Sequence, residues 1–83
     1  MSVTQEEFDR QFHEVLEDVL GWDVTVSDDD GPGTVDGWDS LSHVRLVHAL
    51  ETRFDVRLPD EALLGEQTAA SLKQLVRERV SAS

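Results

Sequence analysis

Apolar residues recur every three to four positions in three separate stretches of this chain, a spacing that lines one face of a helix and commits the chain to a helical fold. The first stripe is Phe8, Phe12, Val15, Leu16, Val19 and Leu20; the second is Leu41, Val44, Val47, Leu50 and Phe54; the last is Leu72, Leu75, Val76 and Val80. Trp22, Val24 and Val26 alternate like a short strand, but one strand has nothing to pair with, so they are expected to anchor a loop. A chain of 83 residues makes one domain, here residues 1–83, with a modest core.

Local signals set the element boundaries. Thr4-Gln5-Glu6-Glu7 reads as a capping box and predicts a first helix over about residues 5–20. Gly21 is placed to end that helix in a left-handed conformation. Residues 21–39, with Gly31, Pro32, Gly33, Gly37 and the run Asp28-Asp29-Asp30, read as a long loop. Asp39 is a good N-cap for the second helix, which puts Ser40 at its first position with an exposed hydroxyl. That helix ends near Phe54. Residues Leu58 to Leu64 predict a short helix, with Pro59 near its first turn and Gly65 after it. Thr68 caps a last helix running to Val80, and Ser81 to Ser83 read as a frayed tail. The expected fold is all-α, a small four-helix bundle of three main helices plus one short helix, with the long loop between the first and second.

Charge and composition narrow the function. Seven basic residues against 18 acidic ones leave a formal net charge of −11, which excludes nucleic acid and anionic membranes as main partners and favours basic protein surfaces. The acids are unevenly spread. Residues 21–39 hold six acids and no base, whereas residues 40–54 set Glu51 against Arg45 and Arg53. The chain has no long apolar run and does not open on a charged segment followed by an apolar one, so a cytoplasmic protein is expected. With no cysteine there is no disulfide, thiolate metal site or cysteine nucleophile.

Ser40 stands out chemically. A phosphate esterified to its oxygen would lie near unpaired backbone N–H groups and the positive end of the helix dipole, an effect worth roughly 0.3 to 1 kcal/mol at an exposed site. Catalysis is a poorer reading. Ser40 and His43 share one helix, and there is no Gly-x-Ser-x-Gly elbow or glycine-rich oxyanion loop. His43 and His48 are five apart rather than four, which makes a poor metal pair. Asp28, Asp30, Gly33 and Asp36 partly mimic a calcium loop, but Gly31 and Pro32 break the pattern.

Asp39-Ser40-Leu41, followed by Val44, Leu46-Val47, Ala49-Leu50-Glu51 and Phe54, resembles the modification site and second helix of acyl carrier proteins. The resemblance covers nearly the whole chain: an acidic domain, a long loop before the motif, helical spacing after it, and a proline-containing segment leading to the last helix. It implies that Ser40 carries a 4′-phosphopantetheine arm whose thiol holds acyl groups as thioesters. It also implies a carrier that is a substrate rather than an enzyme; with no linker flanking the domain, a freestanding monomer is expected. The partners it implies are a phosphopantetheinyl transferase, an acyl-loading ligase or acyltransferase, and a ketosynthase or other acyl-transferring enzyme.

Recognition by those partners is expected through Trp38, Asp39, Leu41, Val44 and Arg45. Trp38 reads first as a loop anchor, Leu41 equally as core or contact, and Val44 and Leu46 first as core. Ser42, His43, Arg45 and Arg53 stand where fatty-acid-type carriers have acids, which favours a dedicated carrier of specialised, polyketide-like or antibiotic biosynthesis. A peptidyl or aminoacyl carrier is the alternative, although Trp38-Asp39 replaces the Gly-Gly or Gly-His usual there. An unmodified helical adaptor is the third reading.

Overall fold

The computed structural model describes residues 4–21, 25–63 and 67–82. Their order is α1 (Gln5–Leu20), α2 (Ser40–Phe54), a 3₁₀ turn (Asp60–Leu63) and α3 (Ala69–Ala82), with no strand among the described residues. The expected all-α bundle with a long first connection is the fold observed.

Each helix begins where a side-chain oxygen meets an orphan backbone donor. Thr4 Oγ1 accepts from the Glu7 N–H (3.1 Å), Asp39 Oδ1 from Ser42 N–H (2.8 Å), and Thr68 Oγ1 from Ser71 N–H (3.2 Å). The Thr4 capping box closes on one side: the Glu7 carboxylate accepts from the Gln11 side-chain amide, 3.4 Å away. At the other ends, Asp55 adopts the left-handed conformation (φ 53°, ψ 50°) and its N–H returns to the Glu51 carbonyl, a conformation that aspartate tolerates better than most residues.

Several expectations need correction. Gly21 ends α1 with φ 113° and ψ 140°, which is positive-φ extended backbone rather than the left-handed helical region; its N–H still bonds the Glu17 carbonyl. The short helix is a 3₁₀ turn that starts at Asp60, because one turn is too short to sustain α-helical bonding; Ala62 N–H donates to the Pro59 carbonyl (2.9 Å). α3 continues through Ser81 to Ala82, past the end expected at Val80. Trp22, Val24, Leu64 and Gly65 lie outside the described residues.

Phe8, Phe12, Val15 and Leu16 of α1, Leu46, Val47 and Leu50 of α2, and Leu72 and Val76 of α3 form the core. The Phe8 and Phe54 rings meet at 5.2 Å between centroids and join α1 to the end of α2. Outside this core, Arg53 pairs with Glu14 at 3.1 Å, tying α2 to α1.

The long loop is built onto the bundle by its backbone. The Asp30 carbonyl accepts from Ala69 N–H (2.8 Å) and the Asp28 carbonyl from Ala70 N–H (3.0 Å), so loop carbonyls complete the cap of α3. This contact leaves no room at Gly31, where a Cβ would sit 2.4 Å from the Gln67 carbonyl oxygen. The Asp30 carboxylate accepts from Ser27 N–H (2.8 Å) and the Thr34 hydroxyl (3.1 Å), closing a turn of the loop. Val26 and Val35 pack, half-buried, against the core.

Candidate functional site

The site is the corner where the loop becomes α2. Ser40 is the first residue of that helix and is exposed, as the Asp39 cap requires. Ser42 N–H goes to the Asp39 carboxylate and His43 N–H to the Asp39 carbonyl (2.9 Å). Among the described residues no acceptor engages the Ser40 N–H. The Asp39 carboxyl is held below its ordinary value, mainly by the Ser42 amide and then by the Ser42 hydroxyl. The corner therefore holds an exposed serine and an N–H without an acceptor among the described residues, with the neighbouring carboxylate engaged in the helix.

Around Ser40 the structure sorts the remaining candidates. Leu41 is 62% exposed and Val44 38% exposed, so neither belongs to the core, and the core reading of Val44 is overturned. The stripe drawn through Leu41 and Val44 lies off the buried face. The residues that face inward are His43, Leu46, Val47 and Leu50, which are themselves spaced i, i+3, i+4 and i+7. Arg45 is exposed and has no ion-pair partner among the described residues. Trp38 is only 1% exposed, so it belongs to the packing of the domain and not to its accessible surface.

What sequence reasoning missed is His43. Its side chain is 1% exposed, stacked 6.0 Å from the Trp38 ring. Trp38 Nε1–H donates to His43 Nδ1 (3.1 Å), and since an indole nitrogen only donates, Nδ1 is the accepting nitrogen. The proton then sits on Nε2, which donates to the Ala62 carbonyl at 2.7 Å. A signal was present: a buried tryptophan needs an acceptor for its N–H, and His43 completes the i, i+3, i+4, i+7 pattern once it is counted with the apolar residues. Glu51 was missed too. Its carboxylate accepts from Leu58 N–H (2.8 Å) and fixes the exit from α2.

On the flank of α2 lies an open groove of about 370 Å³, lined by Val47, His48, Glu51, Arg57, Leu58, Pro59, Asp60 and Leu63. Among the described residues no three histidine or carboxylate groups come together as a metal site; Asp30, one of the calcium-like positions, has its carboxylate in the loop turn. No helix among the described residues is long and apolar enough to cross a membrane.

This is a small helical domain with an exposed serine hydroxyl at the start of α2. Residues 10–76 match the family described as "Phosphopantetheine attachment site", and the chain belongs to that family. Domains of this family are the site of covalent 4′-phosphopantetheine attachment. The chain is also similar to an acyl carrier protein of Phenylobacterium zucineum (strain HLK1), 41% identical over 46 residues, which covers 55% of this chain. The match spans 58% of that relative's length. No solved structure matches.

The corner fits the group. Ser40 is exposed, its N–H has no acceptor among the described residues, and the adjacent carboxylate accepts from Ser42. A negatively charged phosphodiester placed there meets the positive end of α2.

Proposed function

We propose that this protein is an acyl carrier protein and that Ser40 is its point of 4′-phosphopantetheine attachment. The observation that carries the reading is the exposed Ser40 at the first position of α2, capped by Asp39, within a chain of the attachment family. In the attachment step the Ser40 oxygen attacks the pyrophosphate of coenzyme A, its proton passes to a base of the transferase, and 3′-phosphoadenosine 5′-phosphate leaves. Asp39 holds the helix start rigid, and the amide dipoles of α2 favour the negative charge next to Ser40. Bound there, the arm supplies the thiol that the cysteine-free chain lacks, holding acyl groups as thioesters. The carrier is then a substrate of a phosphopantetheinyl transferase, an acyl-loading ligase or acyltransferase, and a ketosynthase or similar acyl-transferring enzyme, in the cytoplasm.

Partner enzymes reach the thioester over the surface within about a turn and a half of Ser40, which includes Leu41, Val44 and Arg45, with Asp39 at its edge. These exposed apolar residues beside an uncompensated arginine support a dedicated partner set of the specialised, polyketide-like kind, because a basic enzyme surface would repel Arg45.

Incubation with coenzyme A, Mg²⁺ and a broad-specificity phosphopantetheinyl transferase should add one phosphopantetheinyl mass, located at Ser40 by peptide mass spectrometry. Ser40→Ala should keep the helical circular dichroism spectrum and take up nothing. A modified alanine variant would reject the assignment. Intact mass of protein from its native host then distinguishes an acyl from an aminoacyl cargo.

A further inference from the structure

The residues on either side of Ser40 are tied together behind it. Trp38, two positions before, and His43, three positions after, share the 3.1 Å Nε1–H to Nδ1 bond, so a side-chain bridge spans Asp39, Ser40, Leu41 and Ser42. Trp38 is also fixed through its main chain: its N–H donates to the Val35 carbonyl (3.0 Å), and its carbonyl accepts from Gly33 N–H (2.9 Å). Through its other nitrogen His43 holds the Ala62 carbonyl at 2.7 Å. One imidazole thus joins three segments that no other side-chain hydrogen bond joins among the described residues: the loop end, α2 and the 3₁₀ turn.

Two of those segments, α2 and the 3₁₀ turn, also carry exposed apolar side chains. Among the described residues, the large apolar side chains left exposed are Leu41 and Val44 of α2 and Leu63 of the 3₁₀ turn. Val44 follows His43, and Leu63 follows Ala62. The contact between His43 and Ala62 therefore sets how the two pieces of apolar surface stand relative to each other and to Ser40.

We propose that His43 is a positioning residue for the reaction at Ser40: bonded to Trp38 and Ala62, it holds the attachment corner and the 3₁₀ turn as one docking surface for the modifying enzyme. This rests on the reading of Ser40 as the attachment serine. His43 never touches coenzyme A or the reacting oxygen. Its effect is on how well the carrier is bound, because both of its bonds are made in every folded molecule before any enzyme arrives. Loss of them leaves a buried indole N–H and a buried carbonyl unpaired, which the chain relieves by letting the loop end or the 3₁₀ turn move toward water.

The test is steady-state phosphopantetheinylation of the full chain at a temperature where circular dichroism shows each variant folded. His43→Leu removes both bonds and keeps an apolar side chain in the core. His43→Gln offers an amide oxygen to accept from Trp38 and an amide nitrogen to donate to Ala62. The expected result for His43→Leu, which loses two hydrogen bonds, is a KM for the carrier raised about tenfold or more, with kcat and the KM for coenzyme A unchanged. His43→Gln should recover to within about threefold of the unaltered protein. A folded His43→Leu variant with an unaltered carrier KM overturns the proposal, as does a glutamine variant as impaired as the leucine one, which would make the effect one of packing. If His43→Leu does not fold, Trp38→Phe removes the indole N–H together with part of the buried ring and leaves the His43 bond to Ala62 in place, and a folded Trp38→Phe protein with an unaltered carrier KM rejects the proposal in the same way. Failure of the unaltered protein to accept the arm at Ser40 removes both readings together, whereas normal modification with an indifferent His43 removes this one alone.

Discussion

Asp39 works at the corner both as a cap and as a charge, and the two roles separate with pH. Its carboxyl is held below its ordinary value of 3.8 because the ionised form accepts from the Ser42 amide and hydroxyl. A depressed folded-state value means that the contribution to stability is complete above the unfolded value and is lost as pH falls through the folded one. Asparagine at this position can cap without titrating. The melting temperature of the unaltered protein should therefore exceed that of Asp39→Asn by a constant amount from about pH 5 upward, and the difference should shrink as pH falls below about 4. A difference that does not change across that range would show that the carboxylate plays no part in the cap. His43 stands at the same scale with a different lesson. It reads as polar and therefore as surface in a one-letter pattern, while its two hydrogen bonds make it as much a core residue as Leu46.

At the scale of elements, what could be read in advance follows how local each signal is. The starts of α1, α2 and α3 were legible because a cap is a contact between residues three apart, and Thr4, Asp39 and Thr68 make theirs. The exposed position of Ser40 was legible for the same reason. That the long loop is anchored, with Trp38 packed on the bundle, was legible too, but its backbone anchors were not, because carbonyls of Asp28 and Asp30 bonded to the amides of Ala69 and Ala70 leave no trace in a pattern of side chains. Nor was the exposure of Leu41 and Val44, since a stripe drawn through them looks as regular as the buried one until the partners of α2 are known. Gly31 offers a test of the docked loop. A Cβ there would meet the Gln67 carbonyl at 2.4 Å, backbone against backbone with no flexible side chain to yield. Gly31→Ala should cost about 1 to 3 kcal/mol in urea unfolding, the range found when a packed site is overfilled. An unchanged midpoint would mean that the loop does not lie against α3 in solution.

For the molecule as a whole, the loop does more than connect. Lys73 of α3 lies 3.8 Å from Asp9 of α1 and 3.7 Å from Asp28 of the loop, with its ammonium 5.5 Å from the Phe12 ring centre, so α1, the loop and α3 meet at this one side chain. The first four amides of α3 are all engaged, two by Thr68 and two by the loop. The opening amides of a helix ordinarily swap their protons with solvent quickly, being without partners in the helix itself. Those of Ala69 and Ala70 have theirs forty residues back along the chain, and can be reached by deuterium only when the loop lifts away. In a hydrogen-exchange experiment they should behave as interior amides, and their rate should report how often the segment leading to Ser40 detaches from the rest of the protein.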